Sequence, residues 1–177
     1  MIKENFKGKE LEVRHLCSKD TDFTKEFTDF FNSLVEENAM LVRKTKKDVS
    51  GQEKELQESL AEIKNGKEAC FVVWDNGKVA GFARIRKKKG RLSHVGVLML
   101  AIEKDYRRLG MGKYLLNKAV EEGKKVGVKI VRIEAFAINV PAIKLYEKLG
   151  FSQVATIPKQ IEYEGELIDE VILIKEI

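Results

Sequence analysis

Cysteine, histidine and long apolar runs are all scarce in this chain, and each scarcity removes a class of answer. Its only cysteines are Cys17 and Cys70, and its only histidines His15 and His94. Neither cysteine has a partner at metal-ligand spacing and the histidines stand apart, so no metal site is expected. Two lone thiols suit a reducing compartment. No window approaches the roughly 18 apolar residues that a membrane-spanning helix needs. The opening "MIKENFKGKELEVRHL" lacks the continuous apolar segment of a secretory leader. A cytoplasmic protein without a membrane partner is expected. One-sided charge is missing too: 33 basic against 28 acidic side chains leave +5, enough to attract anions but short of the basic stripe of a nucleic-acid binder. Repeats, low-complexity tracts and linkers are absent.

What remains is 177 residues with 44% hydrophobic content, which predicts one domain over residues 1–177. "ELEVRHL" alternates as a strand. Ser18 or Asp20 can cap a helix carrying Phe23, Phe27, Phe30, Phe31 and Leu34 on one face. Ser50 and Glu53 have capping-box spacing ahead of Leu56, Leu60 and Ile63, and Asn65-Gly66 ends that helix. Asn76-Gly77 between apolar runs is a hairpin signal, and "RKKKGR" predicts a second hairpin. A helix from Met111 to Lys125, the strand "VKIVRIEAFAI", the helix "VPAIKLYEKLG" and two closing strands complete the order β α α β β β α β α β β. This pattern predicts an α/β fold, a mixed, mostly antiparallel twisted sheet flanked by helices.

The stretch "DYRRLGMGKY", residues 105–114, lies between a strand and a helix. Unpaired N–H groups and the helix dipole meet there, with Arg107 and Arg108 adding charge and Lys113 a possible third cation. Gly110 and Gly112 let backbone approach an anion closely. A Walker loop would need Ser or Thr where Tyr114 stands, and a dinucleotide fingerprint would need Gly at Leu115. The loop is therefore a different phosphate site, or a simple turn before a solvated helix. Downstream, Asn139 can cap a helix that tolerates Pro141 in its first turn and presents Ile143, Tyr146 and Leu149.

Together "YRRLGMG" and "AINVPAIKLYEKLGF" resemble the two signature segments of the GNAT superfamily of acetyl-CoA-dependent N-acetyltransferases. The clear resemblance covers about residues 69–177. It implies that acetyl-CoA lies along Leu100, Ala101 and Ile102, with its pyrophosphate on Arg107, Arg108, Leu109, Gly110, Met111, Gly112 and Lys113, and with Asn139 and Tyr146 beside it. A bulge or splay at that strand would free N–H groups to polarise the thioester carbonyl. Tyr146 would protonate the departing thiolate. For the general base the resemblance offers Glu103, with His94 and Glu134 as alternatives. No metal is implied.

The reaction so implied is acetyl transfer, by direct attack in a ternary complex, to a primary amine of a small molecule or a peptide N-terminus. Two other classes stay open: a non-catalytic acyl-CoA sensor, and a ribosome- or RNA-associated protein using the basic run Arg84 to Arg91. That run reads better as a solvated hairpin tip, since no aromatic interleaves with it to stack bases. Nucleic acid is thus a disfavoured partner. The expected assembly is a monomer or homodimer. In the closing hairpin Glu162, Glu164 and Glu166 could steer an ammonium group, or could be ordinary polar decoration.

Overall fold

Lys7 and Gly8 both adopt positive φ, 52° and 92°, and turn the chain straight back on itself. The computed structural model describes residues 2–177, and its first elements are therefore a hairpin, β1 (Ile2–Phe6) and β2 (Lys9–His15), where the sequence predicts one strand. Only Phe6 of β1 is buried, so that strand has no apolar alternation to read. Residues Ser18–Phe23 form a 3-10 turn before α1 (Thr24–Glu36). Asp20 does not cap α1. It is fully buried, accepts from the Cys17 N–H at 2.7 Å and receives both Arg14 Nη atoms at 2.6 and 2.8 Å.

Helix α2 (Val49–Lys64) starts one residue ahead of the expected Ser50 cap, because Asp48 accepts from Gly51 N–H at 2.7 Å. Asp48→Ala is expected to cost about 1 kcal/mol, read as a fall in Tm of a few degrees, with Ser50→Ala within about 0.5 kcal/mol of wild type.

Strands β3 (Glu68–Asp75) and β4 (Lys78–Lys87) turn at Asn76-Gly77 as expected, and β5 (Val95–Ile102) returns after a short 3-10 turn at Gly90–Leu92. Helix α3 (Met111–Lys125), β6 (Ile130–Phe136), α4 (Val140–Lys148), β7 (Ser152–Tyr163) and β8 (Glu166–Glu176) follow. The eight strands form one sheet in the order β1-β2-β3-β4-β5-β6-β8-β7, and only the β5-β6 pair is parallel.

Alternating side chains give the sheet two apolar faces. One packs Leu98, Val131, Ile133 and Leu173 against Leu115 and Leu116 of α3 and Tyr146 of α4. The other packs Val72, Trp74, Phe82 and Ala101 against Phe27, Phe31 and Leu34 of α1 and Leu56 of α2. The molecule is thus three layers, with the sheet in the middle.

One interruption of that sheet positions everything functional. β5 and β6 pair at Val95–Ile130, Gly96–Val131 and Val97–Arg132 and then part. Beyond that point β5 stays registered with β4 as far as Gly81–Ile102, while β6 stays with β8 as far as Phe136–Glu170. No register shift breaks the β4-β5 ladder, so the freed edge of β5 comes from the splay alone and not from a bulge.

Candidate active site

The splay opens directly beneath the start of α3. Gly110, the residue before that helix, has φ 96°, and Arg108 has φ 62°. Two left-handed residues so close together fold the chain into a nest of amides. Among the described residues, none of the N–H groups from Arg108 to Lys113 donates to a protein acceptor, and the first donor of the helix ladder is Tyr114, to the Gly110 carbonyl at 3.2 Å. A row of unused donors at a helix N-terminus is an anion site in outline. The two glycines serve it differently. A Cβ on Gly110 would meet nothing within 4 Å, whereas one on Gly112 would lie 3.2 Å from Leu145 Cδ2 and 3.6 Å from Ile102 Cδ1. Gly110 thus keeps the outer space free and Gly112 lets α3 seat against β5 and α4.

Arg107 is already engaged. Its Nε donates to the Ile102 carbonyl at 2.9 Å, its Nη2 pairs with Glu37, and its N–H bonds the Lys104 carbonyl at 3.3 Å. These contacts brace the loop against the end of β5 and the C-terminus of α1.

A cavity of about 420 Å³ passes through the splay. Leu98, Leu100, Ala135, Asn139 and Tyr146 reach it from the α3/α4 side, and Arg84, Met99, Glu134, Phe136 and Glu170 from the α1/α2 side. Asn139 also caps α4, accepting weakly from Ala142 N–H at 3.4 Å, which fixes the helix that carries Tyr146. Tyr146 is 8% exposed, packs edge-on to Phe151, and burial is the one influence on its hydroxyl, with no hydrogen-bonded side chain acting on it. Burial raises its pKa, so the phenol keeps its proton.

Of the expected site residues, Leu100, Asn139 and Tyr146 line this cavity. Ala101 is buried against the α1/α2 layer, and Ile102 packs toward α3. Glu103 lies past the end of β5, outside the cavity, with its carboxyl pKa raised first by burial and then by Asp105 and Glu37. His94 lies in the connection ahead of β5, its carbonyl accepting from Lys129 and Ile130. Glu134 does line the cavity, and its carboxylate stands 2.9 Å from Arg132 Nε, close enough to pair although that N–H points elsewhere.

Glu170 is the residue that sequence reasoning missed. It is 8% exposed, lines the cavity, and has no hydrogen-bonded side chain acting on its carboxyl. Burial pushes its carboxyl pKa up, nearby Glu134 pushes it further, and Arg132 opposes. The signal was there in "EVILI": an acid in period two with Ile172 and Ile174, on an inward-facing row of β8.

The α1–α2 connection and the β7–β8 hairpin cover the cavity on its outer side. Tyr163 Oη donates to the Asn38 carbonyl at 2.9 Å, Asn38 Nδ2 donates to Glu164 at 2.9 Å, and Lys44 pairs with Glu162 at 2.8 Å. Lys44 holds the Glu162 carboxyl below its ordinary pKa. Two of the hairpin carboxylates therefore tie down a roof. Exposed pairs of this kind are weak, so the roof is held lightly. Glu162→Gln with Tyr163→Phe is expected to speed tryptic cleavage after Arg43 and Lys44 while leaving Tm unchanged.

The basic run from Arg84 to Arg91 is divided by the fold. Arg84 enters the cavity wall, Arg86 pairs with buried Glu68, and Lys87 donates to the Val126 carbonyl at 2.7 Å. Lys89 and Arg91 remain exposed at the tip.

A splayed parallel strand pair above an amide nest, with a second helix bringing a tyrosine to the gap, defines a GNAT-type fold. The chain belongs to the acetyltransferase (GNAT) family, whose model matches residues 27–151. It is 39% identical over 83 residues to the ribosomal protein bS18-alanine N-acetyltransferase of Escherichia coli strain K12, across 47% of this chain and 54% of that one. The chain thus matches about half the length of such curated relatives. Among solved structures it resembles a GNAT-family acetyltransferase from Streptococcus pneumoniae, with TM-score 0.81 and 24% identity over 95% of this chain and 100% of that one. It also resembles yncA from Salmonella typhimurium, solved with its cofactor acetyl-CoA, with TM-score 0.80 and 18% identity over 95% and 94% of the two chains.

Proposed function

We propose that the protein transfers the acetyl group of acetyl-CoA to a primary amine, of a small molecule or of a peptide N-terminus, with both partners bound at once. The cavity through the β5-β6 splay carries this reading, because it joins the anion-binding loop side of the sheet to the face under α1 and α2. Acetyl-CoA supplies, when bound, an acyl group activated as a thioester. The residues present fit that molecule: the free N–H groups of Arg108 to Lys113, with the Arg108 and Lys113 side chains, suit its pyrophosphate, and the unpaired edge of Leu100 to Ile102 suits an amide-bearing arm. Arg107 acts in this reading by bracing the loop.

Tyr146 gives its proton to the departing sulfur, for which a buried phenol lining the cavity is well placed. Glu134, not Glu103, takes the proton that the amine must shed, because Glu134 faces the cavity from the acceptor side. Glu134→Gln is expected to lower kcat about 10- to 30-fold, below the usual range of about 10²- to 10⁴-fold for a general base because an exposed carboxylate can be replaced in part by water. Glu103→Gln is expected to leave kcat within about twofold.

The test is release of free thiol from acetyl-CoA with peptides, polyamines, amino acids and aminoglycosides as acceptors. Thiol appearing together with an N-acetylated product is the expected result. Calorimetric binding of acetyl-CoA with no turnover on any acceptor would overturn transfer and leave a sensor.

A further inference from the structure

At the end of the molecule remote from the anion loop, β4 ends, β5 and β6 begin, and α2 and α3 finish. Hydrogen bonds hold these ends together. Lys87 N–H donates to the Lys67 carbonyl at 2.8 Å, Lys129 N–H to the His94 carbonyl at 2.8 Å, and Lys87 Nζ to the Val126 carbonyl at 2.7 Å. Residues 64–67, 87–94 and 124–129 thereby form one pole. They carry nine of the chain's 33 basic side chains and none of its 28 acidic ones. Lys64, Lys67, Lys89, Arg91, Lys124 and Lys129 are exposed. The acids at the rim are Glu62, Glu176 beside Ile130, and Glu122, the last paired with Lys125 at 2.6 Å. Against a net charge of +5 for the whole chain, nine cations on one pole leave the rest of the molecule net acidic.

Two ordinary roles for a surface lysine explain only part of this. Lys64, Lys124 and Lys125 stand in the last turns of α2 and α3 and complement the helix dipoles. Lys67, Lys89, Arg91 and Lys129 lie beyond both helices. Nor do the charges of the β4-β5 tip guard a sheet edge, because β4 and β5 are interior strands. Like charges gathered this way build a local positive potential that a polyanion lowers.

The rest of the pole narrows the choice of polyanion. Its three segments contain no Phe, Tyr or Trp, so it has nothing on which single-stranded bases stack. Among the described residues Leu92, 51% exposed, is its one exposed large apolar side chain, too little to enter a membrane interface. What remains is the phosphate backbone of a double helix. The pole spans the α2 layer, the sheet and the α3 layer, each about 10 Å from the next, so its cations reach phosphates on both sides of a groove. Asn65 and Ser93 are exposed among them and supply the neutral donors and acceptors that a 2′-hydroxyl takes.

We propose that this pole docks on the sugar-phosphate backbone of double-helical RNA, without reading its sequence. Nucleic acid is disfavoured by the linear run Arg84 to Arg91 alone; the fold turns part of that run inward and adds two distant segments to the remainder. The eight residues of β5 separate the pole from the anion loop by about 23 Å, at ~3.3 Å per residue, so RNA and acetyl-CoA do not compete.

The experiment follows the anisotropy of a labelled RNA duplex of about 20 base pairs as the full chain is added, at salt from ~50 to ~200 mM. About four to five phosphate contacts give a log–log slope of about −4, a loss of roughly 250-fold in affinity over that range. Lys89→Gln with Arg91→Gln, and Lys124→Gln with Lys129→Gln, should each make the slope shallower by about 2 while Tm and acetyl-CoA affinity hold. Lys89→Arg with Arg91→Lys, which keeps both charges, should bind as wild type does. Single-stranded RNA, a DNA duplex, and phosphatidylcholine vesicles with about one-third phosphatidylserine should each bind at least about 10-fold more weakly. Any of the three binding as tightly as the RNA duplex, displacement of the duplex by acetyl-CoA, an unchanged slope in both glutamine pairs, or no binding at ~50 mM salt would overturn the proposal. The docking stands apart from the transfer reading: a chain that binds the duplex but releases no thiol upholds the one and overturns the other.

Discussion

Tyr146→Phe is expected to lower kcat by about 10²- to 10⁴-fold while acetyl-CoA affinity stays within about twofold. No hydrogen-bonded side chain acts on the hydroxyl, so the substitution strands no partner group and Tm should not fall. Its contact with the leaving sulfur strengthens as charge develops there, and an interaction of that kind acts on kcat rather than on ground-state binding. Burial raises the phenol pKa, so the acid form persists across the neutral and mildly alkaline range and the rate should hold there before an alkaline fall. Stopped-flow thiol release against pH checks both statements. Undiminished kcat in the phenylalanine variant would make Tyr146 a core residue that happens to line the cavity.

Local signals and long-range register divide what the sequence could reveal. Helix α3 and the cap at Asn139 were legible because their determinants lie within a few residues of each other: Gly110 before an apolar period, and Asn139 followed by Pro141. The amide nest was legible for the same reason. By contrast β1 carries one buried side chain, and Asp20 looked like a helix cap while its true partner, Arg14, sits on the preceding strand. The acceptor side was almost silent. Arg84 read as part of a basic surface run because its inward direction depends on pairing with Met99, and Glu170 needs the β6-β8 register to appear opposite Phe136, on the same face as Glu134. Likewise the hairpin carboxylates Glu162 and Glu164 looked free until Lys44 and Asn38, more than a hundred residues earlier in the chain, were brought against them.

Gly110→Asp is expected to weaken acetyl-CoA binding by at least about 100-fold with little change in stability. The stability effects oppose one another. An aspartate at the N-cap satisfies helix donors and complements the dipole, worth about 1 kcal/mol, while φ 96° costs any residue with a Cβ a similar amount. Nothing in the protein stands within 4 Å of the new Cβ, so the side chain enters the space in front of the free N–H groups of Arg108 to Lys113. There its carboxylate takes donors that the pyrophosphate needs and sets a negative charge against it; losing two charge-assisted hydrogen bonds accounts for the expected factor. Gly112→Ala separates occupancy of the loop from disturbance of the helix start, because its Cβ meets Leu145 at 3.2 Å and not open space. That variant should lose some thermal stability and keep most of its affinity. Calorimetry and thermal unfolding on both variants check the pair. Gly110→Asp binding acetyl-CoA as tightly as wild type would place the pyrophosphate away from this loop.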